Sequence, residues 1–417
     1  MNRRVAALTF VAALVFGGAT VRASGQDPDP GQAPPAEPAQ IDIPDLIRMI
    51  RKKAPADQPP PAWDYRNPML AILPTFSSKP STGFTVGALA NVAFYRGDPA
   101  TTGISSASVG ATISSRKQVS LSARLHMFAS DNHFNVQGDN RFLWTSQDTF
   151  GLGPDTAPED AINVRFDHFR IADIGYLDVR PHVYLGIGPY FNVHSNIEPG
   201  EDADAAWDTS PYVEYSRAHG LPVDSQTSSG LTMGVLVDTR DSVINAGRGW
   251  LASMTYRPYF EGLGSDSAWQ ELLFDLRTYR PLKGNPRHRV AFWLNGDFVV
   301  AGVAPYFDLP STGNDVYGRA GRGYVEGRFR GEHLVYGEVE YRGTLMANGL
   351  LGMVAFVNFT TVTDKQAGES LFEDVAPGTG VGLRVSMNKR SRTNICIDVG
   401  VGRQGSKGLY LGLQEVF

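Results

Sequence analysis

The sequence predicts an all-β fold, a transmembrane antiparallel β-barrel of about 16 strands. Three observations carry that reading. From Met69 onward, segments alternate between an apolar and a polar face with the two-residue period of a strand. The connections between these segments sort by length, the four longest all falling at odd-numbered positions. After residue 23 no run of about 18 apolar residues occurs, which excludes a helical span.

The chain opens with Arg3 and Arg4, an apolar run from Val5 to Phe16, and small residues up to Val21-Arg22-Ala23. That order of charged, apolar and small regions predicts a secretory signal peptide over 1–23. Residues 24–64 read as a Pro-rich periplasmic linker, extended over 26–40. Within it, Ile41 to Lys53 offers one short amphipathic helix, with Ile43, Leu46, Ile47 and Ile50 on a face, ended by the prolines from Pro55 to Pro61. The segment is too short for an accessory folded domain.

The barrel occupies 65–417, with strands expected at 69–76, 83–95, 105–115, 118–128, 133–144, 163–178, 181–194 and 229–238. The second half supplies 249–260, 267–280, 288–301, 332–343, 350–363, 377–388, 392–403 and 408–417. An even count returns both chain ends to one side, as in bacterial single-chain barrels. If the first strand leaves the periplasm, the long connections 145–162, 195–228, 302–331 and 364–376 are extracellular, and 179–180, 281–287 and 389–391 are periplasmic turns. The faces agree. His333, Val335, Gly337, Val339 and Tyr341 oppose Leu334, Tyr336, Glu338, Glu340 and Arg342. Leu272, Phe274 and Leu276 likewise oppose Glu271, Asp275 and Arg277. Charges at mid-strand are costly against lipid and tolerated in a wet lumen, so the apolar face is the outer one.

Composition narrows the function. Aromatics at 11% suit interfacial girdles, and a net charge of -5 with interspersed signs argues against a nucleic-acid partner. The single cysteine, Cys396, excludes an intrachain disulfide. There is no G-x-S-x-G elbow and no H-E-x-x-H, and the eight histidines form no pair at metal spacing. The reading is a non-enzymatic protein with no cofactor and no metal.

Four motifs remain. The connection 302–331 contains Gly321-Arg322-Gly323-Tyr324, followed by Gly327-Arg328-Phe329-Arg330-Gly331. Asp238-Thr239-Arg240-Asp241 ends the eighth strand, with Gly247 and Gly249 before Trp250. Gly378, Gly380 and Gly382 share a face with Arg384 and clear space for another backbone; their spacing is not that of a nucleotide-binding loop. The sequence closes with Tyr410, Gly412 and the aromatic Phe417.

Over roughly 65–417, most strongly from 231, these motifs resemble the BamA/TamA family, the bacterial surface antigen barrels of the outer-membrane protein-85 superfamily. The resemblance implies that 302–331 is the sixth extracellular loop, folded back into the lumen with Arg322 on acidic wall residues and Tyr324 packed beside it. Glu338 and Glu340 are the partners offered by the polar face. Asn358 stands where members often carry aspartate and is expected to accept a hydrogen bond from Arg322, and Asp398 fits the family's penultimate strand. Asp238, Arg240, Asp241 and Gly249 correspond to the periplasmic turn, with Ala246 in place of its usual proline. Tyr410, Gly412 and Phe417 correspond to the terminal signal read by the barrel-assembly machinery.

By the same resemblance the protein assists insertion or translocation of proteins at the bacterial outer membrane. Its partners are outer-membrane lipids, unfolded outer-membrane or secreted clients, and the assembly machinery for its own insertion. Weak pairing of the first and last strands would open a seam, and Pro74 in the first strand fits that picture. Family members that assemble proteins carry polypeptide-binding POTRA domains before the barrel, where this sequence has only 24–64. The alternative is therefore a passive channel or structural barrel without client handling.

Overall fold

The computed structural model describes residues 40–51, 64–79, 83–200, 203–283 and 285–417. The expected signal peptide and most of the linker lie outside the described residues. Among those described, sixteen strands form one sheet in which each pairs with the next in sequence.

The first four strands are β1 (Met69–Lys79), β2 (Gly83–Phe94), β3 (Ser105–Ser114) and β4 (Val119–Phe128). Then come β5 (Phe134–Thr149), β6 (Ile162–Arg180), β7 (Val183–Pro199) and β8 (Gln226–Asp238). The third quarter holds β9 (Gly249–Tyr259), β10 (Trp269–Leu282), β11 (Asn285–Gly302) and β12 (His333–Thr344). The sheet ends with β13 (Leu351–Val362), β14 (Ala376–Asn388), β15 (Thr393–Gly402) and β16 (Lys407–Gly412). Every pairing is antiparallel, as consecutive hairpins require.

The strands beside the longest connections outrun their expected limits. β5 continues from 144 to Thr149, and β7 from 194 to Pro199. Thr145-Ser146-Gln147-Asp148-Thr149 carries no apolar face, so its sequence reads as loop, yet it pairs residue by residue with Phe166 to Ile162. A membrane crossing takes about 9–11 residues, and the 19 residues of β6 carry the sheet well past it. Above the apolar belt the ladder persists on backbone hydrogen bonds and polar cross-strand pairs, such as Asn163 donating to Asp148 at 2.6 Å.

The outer wall is apolar where the sheet would meet lipid. Leu70, Ile72, Val109, Ile113, Leu185, Ile187, Val357 and Val381 are all exposed. Phe142 packs edge-on against Trp144 at 4.2 Å and against Phe169 at 6.0 Å, an aromatic patch on β5 and β6. The inner wall is polar and holds inserted chain. At the end bearing the long connections, helix α2 (Pro211–Ala218) buries Tyr212, Val213 and Tyr215 against Tyr306, Phe307 and Leu309. A shorter helix, α1 (Ile43–Ile50), lies at the end bearing the short turns.

The last strand departs from expectation. β16 stops at Gly412, and residues 413–417 turn into the lumen, where Leu413, Val416 and Phe417 are buried. A strand running straight to Phe417 would place Glu415 on the same face as Phe417, against lipid, where a carboxylate is costly. Turned inward, Glu415 accepts from Arg384 at 2.8 Å and from Asn394 at 3.0 Å. Among the described residues no ladder joins β1 to β16, although the two strands come within 8 Å.

Candidate functional site

The site is built by the connection between β11 and β12. It leaves β11 over Val303–Ala304 and returns along itself: Thr312 N donates to the Phe329 carbonyl at 3.0 Å, and Gly327 N to the Thr312 carbonyl at 2.8 Å. The guanidinium of Arg330 donates to the Tyr306 carbonyl at 2.8 Å and holds the neck of this loop closed. Asp315 caps the descending tip by accepting from the amides of Arg319 (2.8 Å) and Ala320 (2.6 Å). Gly321 and Gly323 take φ of +90° and +109°, the left-handed region, and so turn the tip around Arg322.

Arg322 is 0% exposed. Its Nε donates to Glu338 Oε2 at 3.1 Å and its Nη1 to Asp398 Oδ2 at 3.0 Å, while Nη2 reaches both Glu338 and Glu340. The guanidinium lies 3.6 Å above the Phe356 ring. Three carboxylates and one aromatic face thus surround a single fork-shaped cation, an arrangement that lysine could not satisfy.

Second partners of the same carboxylates extend the network. Arg342 Nε donates to Glu340 at 2.6 Å, and its Nη2 to the Phe417 carbonyl at 2.8 Å. Arg384 bridges Asp398 and Glu415. Tyr336 donates to Glu338 at 2.6 Å. Glu340 and Asp398 therefore each hold the loop tip on one side and, through Arg342 or Arg384, residues 413–417 on the other.

The wall beside the tip is cut away. A Cβ on Gly378 would lie 2.7 Å from the Arg322 carbonyl, and one on Gly400 would lie 2.8 Å from Gly323 N. A Cβ on Gly402 would strike the Tyr324 ring at 2.4 Å. Tyr324 packs on Phe329 at 5.0 Å, and its hydroxyl donates to the Pro377 carbonyl and accepts from Arg403 N. Gly380 and Gly382 meet a different neighbour, the β15 strand, through Val399 O and Asp398.

One residue behaves differently from the sequence reading. Asn358 is a donor rather than an acceptor: its Nδ2 donates to the backbone carbonyl of Arg322 at 2.9 Å. The guanidinium is already filled by carboxylates, and the carbonyl above Gly378 is the group left to satisfy. Tyr410 faces the lumen, accepting from Gly323 N at 2.9 Å and donating to the Tyr324 carbonyl at 3.1 Å, and Phe417 stacks near Trp293 at 5.3 Å. Both aromatics thus belong to the inner network and not to an outer face. Gly412 sits where the chain turns inward, close to Arg319, which donates to the Leu411 carbonyl at 2.7 Å.

The turn between β8 and β9 lies apart from the loop tip. Arg240 forks onto Asp238 at 2.9 and 2.7 Å, both side chains being buried. Asp241 accepts from Gly247 N at 2.7 Å and from Arg392 Nη1 at 2.7 Å. Burial works against the Asp241 carboxylate, but Arg392 and the Gly247 amide outweigh it and hold the carboxyl below the usual range. Gly249, at φ +108°, places its α-carbon where a Cβ would lie 2.3 Å from the Thr239 carbonyl. The turn reaches across the opening: Ile244 is buried against Ala93 and Ile104, and its carbonyl accepts from Glu415 N at 3.4 Å.

A family model described as the Omp85 superfamily domain matches residues 193–402, just over half of the sequence. The chain belongs to the Omp85 superfamily. Among solved structures, BamA from Haemophilus ducreyi lacking POTRA domains 1–3 is similar at 14% identity and a TM-score of 0.50, over 83% of this chain and 68% of that one. CdiB from Escherichia coli is similar at 10% identity and a TM-score of 0.51, over 86% of this chain and 62% of that one. At such identities the likeness is one of fold, and this chain spans about two thirds of the length of those it matches. No curated protein sequence matches it. The Omp85 match covers the loop, Glu338, Glu340, Asn358 and Asp398, and stops before β16.

Several residues of this Omp85 barrel's network escape sequence reasoning. Gly400 and Gly402 share the parity of Asp398 along β15, and that regular spacing was the available signal. Phe356 and the Arg384–Glu415 pair carried none, because Phe356 meets Arg322 only when the loop enters the lumen and Arg384 meets Glu415 only when residues 413–417 turn inward.

Proposed function

We propose that this Omp85 barrel assists the insertion or translocation of proteins at the bacterial outer membrane, with the long connections extracellular and the short turns periplasmic. The observation that carries the proposal is the seam between β1 and β16. β16 pairs with β15 over only Val401 to Cys396 and then leaves the sheet. β1 holds Pro74, which cannot donate to a ladder, and among the described residues no strand pairs with its far edge. An edge of that kind accepts an added strand, so a client β-segment would pair along β1.

The obstructed lumen favours this reading over an open channel. The loop tip occupies the middle, α2 covers one end, and residues 239–248 with 413–417 cross the other. Engineered cysteines across β1 and β16 test the proposal: oxidation should abolish client insertion in proteoliposomes, and reduction should restore it. Unimpaired insertion with the seam crosslinked would sink it. Depleting the protein and quantifying the outer-membrane proteome would then identify the clients.

A further inference from the structure

We infer that α1 is a membrane-surface helix that binds the anionic phospholipid of the periplasmic leaflet, beside the barrel wall formed by β13 and β14. The inference rests on the membrane placement given above. The helix starts with a capping box, in which Asp42 accepts from Asp45 N at 3.0 Å and Asp45 from Asp42 N at 3.3 Å. Its first turn is pinned to two neighbouring short turns of the barrel. Ile41 N donates to the Asn348 carbonyl at 2.9 Å, Lys389 N to Asp42 at 3.1 Å, and Lys389 Nζ to Asp45 at 2.6 Å.

Only the polar side is held. Asp45, Arg48 and Arg51 share that side, whereas Ile43, Leu46, Ile47 and Ile50 recur at helical spacing on the other. Beyond the first turn the apolar side is largely open among the described residues: Ile47 is 43% and Ile50 72% exposed. An eight-residue helix is marginal in water by itself, and a bare apolar stripe makes it more so. A bilayer interface removes both problems, since it takes up the apolar face and leaves the basic side at the headgroups.

Two features select lipid over a protein partner. The apolar stripe continues onto the barrel, because Leu345 and Met346 are exposed on the same turn whose Asn348 anchors the helix. That turn leads directly into the apolar outer wall at Val357 and Val381. The charges also match: Arg48 and Arg51 lie on the side opposite the stripe, and such cations are attracted to anionic headgroups.

The test uses the full chain with Cys396→Ser in nanodiscs containing phosphatidylglycerol, carrying one nitroxide at a time through Ile50→Cys, Arg48→Cys or Val381→Cys. Collision with oxygen reports the acyl region, and collision with a nickel chelate reports water. The Ile50 label should follow the Val381 label, rich in oxygen contact and closed to nickel, while the Arg48 label does the reverse. Replacing phosphatidylglycerol by phosphatidylcholine should raise nickel access at Ile50 and leave Val381 unchanged. If Ile50 is as open to nickel as Arg48 while Val381 stays in lipid, the helix proposal fails and the membrane placement stands. If Val381 is open to nickel as well, both fail together. An Ile50 label closed to both reagents would mean a protein covers the face, which also overturns the proposal.

Discussion

Removing the guanidinium of Arg322 would leave Glu338, Glu340 and Asp398 facing one another in a buried space. Breaking one side of a buried ion pair costs about 3–5 kcal/mol. Arg322→Ala should therefore lower the temperature at which the folded barrel loses its fast gel migration, and Arg322→Lys should fall between it and the parent, since an ammonium cannot fork across three acids. A second substitution is more diagnostic. Asn358→Asp would remove the donor to the Arg322 carbonyl and add a fourth acid beside Glu338, whose Oε2 lies 3.4 Å from Asn358 Nδ2. It should destabilise the loop, seen as faster proteolysis within 303–332. Protection equal to the parent would show that the extra acid is absorbed by Arg322.

At the scale of elements, the loop tip and residues 413–417 share carboxylates, so disturbing one should loosen the other. Cys396 reports this directly: it is buried on the inner face of β15, beside the turn that β16 makes at Gly412. Glu415→Gln removes one charge from the Arg384 bridge and should raise the rate at which Cys396 reacts with a maleimide. Arg322→Ala should do the same from the other side of Asp398. A rate that responds to Glu415→Gln alone would mean that the two elements are independent. The turn 239–248 makes a pH prediction. The Asp241 carboxyl is held below 3.8, so its attachment to Arg392 is intact above that value and is lost as pH falls through the lower folded value. A distance probe between residues 243 and 390 should lengthen only under such acid, and Asp241→Asn should lengthen it at neutral pH.

For the whole molecule, the plugged lumen predicts small, infrequent conductance in planar bilayers, with larger openings after Arg322→Ala. Frequent large openings of the parent protein would favour a channel. The sixteen-strand architecture was legible because hydrophobic alternation and loop length are local properties of the chain. Glu338 and Glu340 could be placed on the inner face from alternation alone. What stayed hidden were contacts made by chain turned into the lumen, such as Arg384 on Glu415, and the paired stretches above the belt, such as 145–149, which lack an apolar face. The inward turn after Gly412 was hinted at only by Glu415, an acid whose parity did not suit an outer strand.

The wall that receives the loop tip is bare backbone where the two meet, at Gly378, Gly400 and Gly402. Interdigitated side chains act as teeth, and separating them requires rotamers to change on both sides. At those three positions the wall offers none, and the tip is held instead by the Arg322 ion pairs, by Asn358 and Tyr410, and by the Tyr324 hydroxyl. Withdrawing the tip therefore means breaking these polar contacts, with no wall side chain in the way at Gly378, Gly400 or Gly402. The fit is set by absence of bulk, and a single methyl at Gly400, 2.8 Å from Gly323 N, would unseat the tip.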